Sequence, residues 1–437
     1  MALKHGYQSP RWSGEIADCS MPVTFDQYSK CQFGCIYCFA AFQRGIGGAA
    51  ANYLGGNIRS VNPERVKRYW LEPDSPNNQF GPYIKAGKTI QWGGMSDPFC
   101  PLEKKHGIGL ELMRFMREQG QQISFSTKGT WWLDDPRYTE LFKDNPDWHV
   151  KVSIVTLDEK KASLLEPRVP SPKARLDAIE KIAKLNGNVT LRFRPFIIGV
   201  SSPKHKELIF EAANRGAISV STEFFCLEMR SPWLKTKMPT LNKLAGHDVM
   251  KYYRRNSRGS GYLRLNRSVK AQYVADMRDA CIESGIKLYV SDAHFKEECA
   301  GGSCCGLPDS MRWSRGQFTN ALLLCKKNGT VRWSEIASLM GHLRAVPFGK
   351  AEGFNTSSCE RRAKFFGFSM YDYLRWLWNS PNAANSPYKY FEMAMLPDGR
   401  DEHGDVVYRA NPAVYLPTPT PTTNTNTNTN TNITQDA

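Results

Sequence analysis

Cys31, Cys35 and Cys38 stand in KCQFGCIYCFA, a C-x3-C-x2-C array with Tyr37 directly before the last cysteine. Three thiolates this close on one loop can bind three irons of a [4Fe–4S] cluster, which leaves the fourth iron open to take a substrate or cofactor directly. Gly34, between the first two, lets the loop turn tightly without a side chain in the way. A structural zinc is the competing reading, but it needs a fourth ligand and usually a second C-x2-C pair, which this chain lacks. Three unrelated buried thiols is the remaining one.

A second group follows later. Cys299, Cys304 and Cys305 lie in ECAGGSCCG, with His294 before them and Cys325 after them. Flexible glycines between thiols suit wrapping around a metal, so a second iron–sulfur cluster or a structural zinc is one reading. The adjacent pair is awkward for one ion, and a reduced, glycine-rich surface loop is the other reading.

A third stretch bears on partners. Residues 251–270 read KYYRRNSRGSGYLRLNRSVK, with seven Lys or Arg, no acid and three tyrosines. Lys and Arg neutralise phosphates and Tyr stacks on unpaired bases, so nucleic acid is the expected partner of this loop. Trp131 and Trp132 are a further candidate platform.

The elements that must position these groups alternate. Thr89–Gly94, Gln122–Lys128, His149–Thr156, Val189–Ile198, Ile218–Phe225 and Lys287–Asp292 read as short strands rich in β-branched and aromatic residues, with Val23–Gln27 a weaker first one. Helical patterns over His106–Gln119, Ser171–Gly187 and Ser268–Ser284 fall between them, the second opened by a Ser-Pro cap. Such alternation predicts an α/β fold with a parallel sheet, a partial or full β/α barrel whose chemistry gathers at the C-terminal strand ends. The expected organisation is a barrel core over 1–294, a Cys-rich and aromatic helical region over 295–416, and a disordered Thr/Asn/Pro tail over 417–437. An aromatic helix near Arg361–Trp378 belongs to the middle part. The tail carries one charge, Asp436, and one large apolar residue, Ile433, too little to offset its ordering entropy.

Composition narrows the class. The 437 residues carry 58 Lys+Arg against 42 Asp+Glu, a net charge of +16, which points to an anionic partner. No apolar run approaches the roughly 18 residues of a membrane helix, and the first residues lack the apolar centre of a secretory signal. A cytoplasmic protein without membrane association is therefore expected. Its twelve cysteines would then be reduced and available for metal or redox chemistry.

The C-x3-C-x2-C array with its aromatic residue resembles the signature of the radical S-adenosylmethionine (AdoMet) superfamily, over roughly Met21 to Asp292. Gln91–Pro98 (QWGGMSDP), Ser124–Gly129 (SFSTKG), Val152–Glu159 (VSIVTLDE), Leu165–Ile179 (LEPRVPSPKARLDAI) and Arg192–Gly199 (RFRPFIIG) are similar to spore photoproduct lyases and their DNA repair photolyase relatives. The resemblance implies a [4Fe–4S] cluster on Cys31, Cys35 and Cys38. It implies AdoMet chelated by the open iron and reductively cleaved to a 5′-deoxyadenosyl radical that abstracts hydrogen. By the same resemblance Gly93, Gly94, Ser96, Lys128, Ser153 and Arg194 surround AdoMet, and an electron donor such as flavodoxin or ferredoxin serves it. Spore photoproduct lyases place a hydrogen-donating cysteine beside the AdoMet-binding serine. Gly94 and Met95 stand there in this chain, so thymine-dimer repair is in doubt, and Cys100 and Cys226 are the candidate replacements. Two other functions stay open: a peptide- or protein-modifying enzyme of the same superfamily with an auxiliary cluster, and a metal-stapled nucleic-acid-binding protein without catalysis.

Overall fold

The structure, a computed structural model, describes residues 3–13, 17–44, 55–258, 261–346, 365 and 367–417. All seven expected strands form: β2 (Val23–Phe25), β3 (Ile90–Trp92), β4 (Ile123–Thr127), β5 (Trp148–Ser153), β6 (Val189–Phe196), β7 (Ser219–Phe224) and β8 (Lys287–Val290). A short β1 (Arg11–Trp12) precedes them. Each strand pairs with the next in sequence; β1 is antiparallel to β2 and every other pair is parallel. A strand order that follows the chain without reversal is the barrel pattern, because a doubly wound sheet reverses order at a switch point.

Crossover helices cover the outer face: α1 (Pro63–Leu71), α2 (Ile108–Glu118), α3 (Pro136–Phe142), α4 (Pro172–Asn186), α5 (His205–Asn214) and α6 (Arg267–Glu283). Helix α4 shows how local sequence sets these ends. The Ser171 hydroxyl accepts from Ala174 N at 3.2 Å, Pro172 opens the first turn, and Gly187 closes it at φ +74°. The outward-facing sheet aromatics Phe125 and Trp148 pack against Phe142 of α3.

The inward face is polar, and the period of two in the sequence explains it. Ser124, His149, Thr190 and Ser219, one from each of β4 to β7, form a buried chain at 2.9, 2.7 and 2.7 Å. One layer up, Lys151 Nζ donates to Gln91 Oε1 at 2.8 Å, and Gln91 Nε2 donates to Ser126 Oγ at 2.9 Å.

The barrel is partial, with no pairing between β8 and β1 among the described residues. A later segment covers the gap: Thr89 N donates to Arg312 O at 2.7 Å, Ser314 N to Ser20 O at 2.9 Å, and Phe318 N to Ala17 O at 3.2 Å. Beyond it come a helix at Phe318–Asn328, the aromatic helix at Met370–Trp378, and a small antiparallel sheet of Thr330–Val331, Met395–Arg400 and Val406–Ala410. The first residues expected in the aromatic helix, 361–364, and the expected disordered tail from 418 lie outside the described residues. No described helix is long and apolar enough to cross a membrane.

The basic stretch is more ordered than a loop. Val249–Asn256 is helical, and Ser257–Arg258 pairs with Tyr262–Leu265. Tyr253 is buried and donates to Phe225 O at 2.6 Å, and Lys270 is buried against Asp292 at 2.7 Å. Tyr262, 39% exposed, is the most exposed of the three tyrosines, and Tyr252 is half-buried.

The Lys270–Asp292 pair makes acid stability testable. Burial pushes the Asp292 carboxyl up, but Lys270 and His294 outweigh it and hold it at about 2, below the usual 3.8. A depressed carboxyl stabilises the fold above its ordinary value, and that contribution is lost as pH falls through about 2. Urea unfolding from pH 5 towards pH 2 should show wild type losing about 2 kcal/mol from this group, a loss absent from Asp292→Asn. Parallel pH profiles for the two proteins would refute the assignment.

Candidate active site

The C-terminal strand ends surround a cavity of about 520 Å³. Its lining includes all three cysteines of the first array and Gly93, Gly94, Ser96, Lys128, Ser153 and Arg194. Tyr28 ends the run after β2, and the cysteine loop follows, with Cys35 buried and Cys31 and Cys38 half-buried. All three thiols are free.

Two buried carboxylates hold this arrangement. Asp26, directly after β2, accepts from Met95 N and Ser96 N at 2.8 Å each and pairs with Arg11 Nη1 at 2.6 Å, which locks the GGMS turn to the first strand. Glu166 pairs with Arg175 at 2.7 Å, each side chain 1% exposed, and accepts the Tyr37 hydroxyl. Arg175 also donates to Ser153 O at 2.7 Å, and Ile36 N donates to Leu165 O at 2.9 Å. The cysteine loop, the end of β5 and the start of α4 are thereby tied together. Sequence reading missed both carboxylates; Glu166 and Arg175 lay within a matching motif, but nothing local paired them.

The charges around the thiols are uneven. Burial, then Cys38 and Asp97, pushes Cys31 up to about 11. Burial also raises Cys35, opposed by the Lys128 charge. Lys128 sits 5.6 Å over the Tyr37 ring. Burial disfavours its charge, but Cys35, Glu166 and Asp97 outweigh that and raise its pKa. Asp97 accepts from Thr127 Oγ1 at 2.7 Å, Lys128 N at 2.6 Å and Phe99 N at 2.9 Å, so it fixes the β4 end.

The glycines are explained by the protein itself. A Cβ at Gly93, where φ is +95°, would lie 2.5 Å from Ser126 O, and one at Gly94 would lie 3.0 Å from Arg11 Nη2. Arg194 donates to Ser291 Oγ at 3.0 Å and pairs with Glu223. Beneath it, Arg192 also lines the cavity, and burial followed by Arg194 lowers it to about 9.

The second cysteine group does not assemble as one site. His294 is held by Lys270 Nζ at 2.7 Å and Glu392 at 2.9 Å. Cys299 lies 3.2 Å from Val290 N and O, and Cys325 is buried 3.6 Å from Tyr408 O. None of these three lines the cavity, whereas Cys304 and Cys305 do. Among the described residues no three His, Cys, Asp or Glu are placed to hold one metal ion. Of the candidate hydrogen donors, Cys226 lines the cavity; Cys100 is fully buried outside it, at the start of the Pro101–His106 helix. Neither tryptophan lines the cavity: Trp132 is buried in a 4.5 Å stack with Phe99, and Trp131 is half-buried and donates to Phe99 O at 2.8 Å.

Residues 28–210 match the radical SAM superfamily. The uncharacterized protein ORF301 of Acidianus two-tailed virus is 28% identical over 109 residues, 25% of this chain and 35% of that protein, so the chain spans about a third of this relative's length. Spore photoproduct lyase complexed with dinucleoside spore photoproduct is similar at TM-score 0.46 and 15% identity, covering 65% of this chain and 79% of that one. Streptococcus suis SuiB bound to S-adenosylmethionine is similar at TM-score 0.35 and 14% identity, covering 54% and 48%. The stretch that matches the radical SAM superfamily, residues 28–210, is the part of the barrel that brings Cys31, Cys35, Cys38, Lys128, Ser153 and Arg194 to one cavity.

Proposed function

We propose that this protein is a radical AdoMet enzyme in which Cys31, Cys35 and Cys38 hold a [4Fe–4S] cluster and Gly93, Gly94, Ser96, Lys128, Ser153 and Arg194 surround AdoMet. The observation that carries it is the meeting of three free thiols with all six of those residues on one cavity wall. The donor set fits the group: three thiols on one short loop share the cavity wall, and cysteine thiolates are the ligands of iron–sulfur clusters. When bound, cluster and AdoMet supply a 5′-deoxyadenosyl radical for hydrogen abstraction.

The chain's own residues do the rest. Lys128 offsets the negative charge of the thiolates, and Glu166 holds Tyr37 so that the loop keeps its shape. The Asp26 carboxylate keeps the GGMS turn against β2, which fixes the backbone where the methionine end of AdoMet would bind. Formation of 5′-deoxyadenosine from AdoMet by the anaerobically reconstituted, reduced protein tests this reading. Product supports it; no product and no bound iron would end it.

The substrate we infer is a nucleic acid. Its support is the net charge together with Arg254, Arg255 and Tyr262, the last lining the cavity mouth. Affinity for single-stranded DNA or RNA should fall steeply with salt, and replacing Arg254, Arg255 and Arg258 by Ala should flatten the log–log slope by about 2. Binding that ignores salt, or no binding, would turn the choice to a peptide or protein substrate.

A further inference from the structure

Two thiols from the C-terminal region face the same cavity as the first cysteine array, and nothing in cluster or AdoMet binding requires them. We propose that Cys304 and Cys305 form the dithiol that ends the radical sequence, one of them giving a hydrogen atom to the carbon radical left on the substrate. This rests on the radical AdoMet reading above.

The pair is built into the barrel and is not a surface loop. Cys304 O accepts from Ser291 Oγ at 2.8 Å and Ser221 Oγ at 3.5 Å, and Gly306 O accepts from Thr190 Oγ1 at 3.2 Å and Ser219 Oγ at 3.4 Å. Gly306 has φ +74°, and a Cβ there would come within 3.0 Å of Ser219 Oγ. Ser20 Oγ reaches Ser303 Oγ at 3.3 Å, across the gap between β1 and β8. Inward side chains of β7, and Ser291 just past β8, therefore fix the backbone that carries both sulfurs. Those sulfurs lie 3.9 Å apart, both buried and both on the cavity lining. Besides Cys304, the Lys151 and Arg194 charges and the Cys19 thiol, which also lines the cavity, lie close enough to act on the Cys305 charge.

In an enclosed cavity, a carbon radical takes hydrogen from the weakest bond within reach. An S–H bond is weaker than an aliphatic C–H bond, so transfer from a thiol runs downhill. The substrate radical takes the hydrogen atom, a C–H bond forms, an S–H bond breaks, and a sulfur radical remains. Release of the neighbouring thiol's proton to water lets the two sulfurs share the unpaired electron as a disulfide radical anion. One electron from a reduced flavodoxin- or ferredoxin-class donor and two protons from water then restore both thiols. Cys226, the candidate donor on the same lining, lies 3.6 Å from Phe224 O.

The test needs no substrate. The cluster-loaded full chain is reduced with dithionite in D2O and given AdoMet alone, so that the adenosyl radical itself collects hydrogen from the cavity wall. Mass spectrometry of the 5′-deoxyadenosine should show solvent deuterium from wild type and from Cys281→Ala, whose thiol is buried in α6. In Cys304→Ser/Cys305→Ser the labelled fraction should drop about fivefold or more, with iron content and melting temperature retained. Unlabelled product from wild type, an unchanged label in the double variant, or loss of label in Cys226→Ala instead would each overturn the assignment. The amount of product tests the radical reading, and the label tests the dithiol. A measurement without turnover accompanies it: phenylarsine oxide, which bridges two close thiols, should add once to the cluster-loaded chain and not to the double variant. Failure of wild type to take the arsenical would refute the dithiol whatever the turnover result.

Discussion

Replacing Cys35 by alanine is expected to lower 5′-deoxyadenosine formation by roughly 10³-fold or more, the scale seen when one member of a group acting as a unit is removed. Cys35 is the buried member of the array, with Lys128 and Glu166 acting on its charge. Without it, two thiolates remain for three iron positions, and the loop has no other side chain of similar softness to replace it. Iron per chain and the visible absorbance of the reconstituted protein should fall with the activity, while thermal unfolding of the iron-free chain stays close to wild type. That last comparison separates loss of a ligand from loss of fold. Turnover near the wild-type rate in Cys35→Ala would mean that the array is not the cluster site.

Breaking the Glu166–Arg175 pair should have the largest effect on stability. Both side chains are 1% exposed, so removing one leaves a charge with nowhere to be solvated. Arg175→Met is expected to cost about 3–5 kcal/mol in chemical denaturation, the usual range for a buried pair broken on one side. Glu166→Gln strands the Arg175 guanidinium in the same way. The double variant should be less destabilised than the sum of the two, because it strands neither charge. Since Glu166 also accepts the Tyr37 hydroxyl, both single variants should retain less iron after reconstitution. A cost near zero for either, with normal iron content, would show that the pair does not hold the cysteine loop.

Lys151 and Arg192 show a limit of reading along the chain. In HVKVS and TLRFR the alternation of polar and apolar residues already places His149, Lys151, Thr190 and Arg192 on one face of their strands. Alternation cannot say that this face is the inside of a barrel. Reading the apolar face as core and the polar face as solvated is equally consistent with the sequence. Curling of the sheet reverses the usual expectation, and the cations end up inside: Lys151 is buried and thereby lowered to about 8, and Arg192 is half-buried on the cavity lining.

What the sequence by itself determined are the features written in short spans. The cysteine array, the strand and helix order, the Ser171-Pro172 cap and the Gly187 stop all depend on neighbours within a few residues. The C-x3-C-x2-C spacing puts three thiols on one loop whatever the rest of the chain does. Tertiary structure alone decided which distant groups share the cavity. Tyr37 and Glu166 are 129 residues apart and Ser20 and Ser303 are 283 apart, and no local periodicity pairs them. It separated His294, Cys299 and Cys325 from Cys304 and Cys305, although all five lie within one short stretch and the helix after it. It also buried Cys100 beside the cavity that Cys304 entered from the far end of the chain. The reason is geometric: strand register and barrel closure set these distances, and both are properties of the folded sheet as a whole.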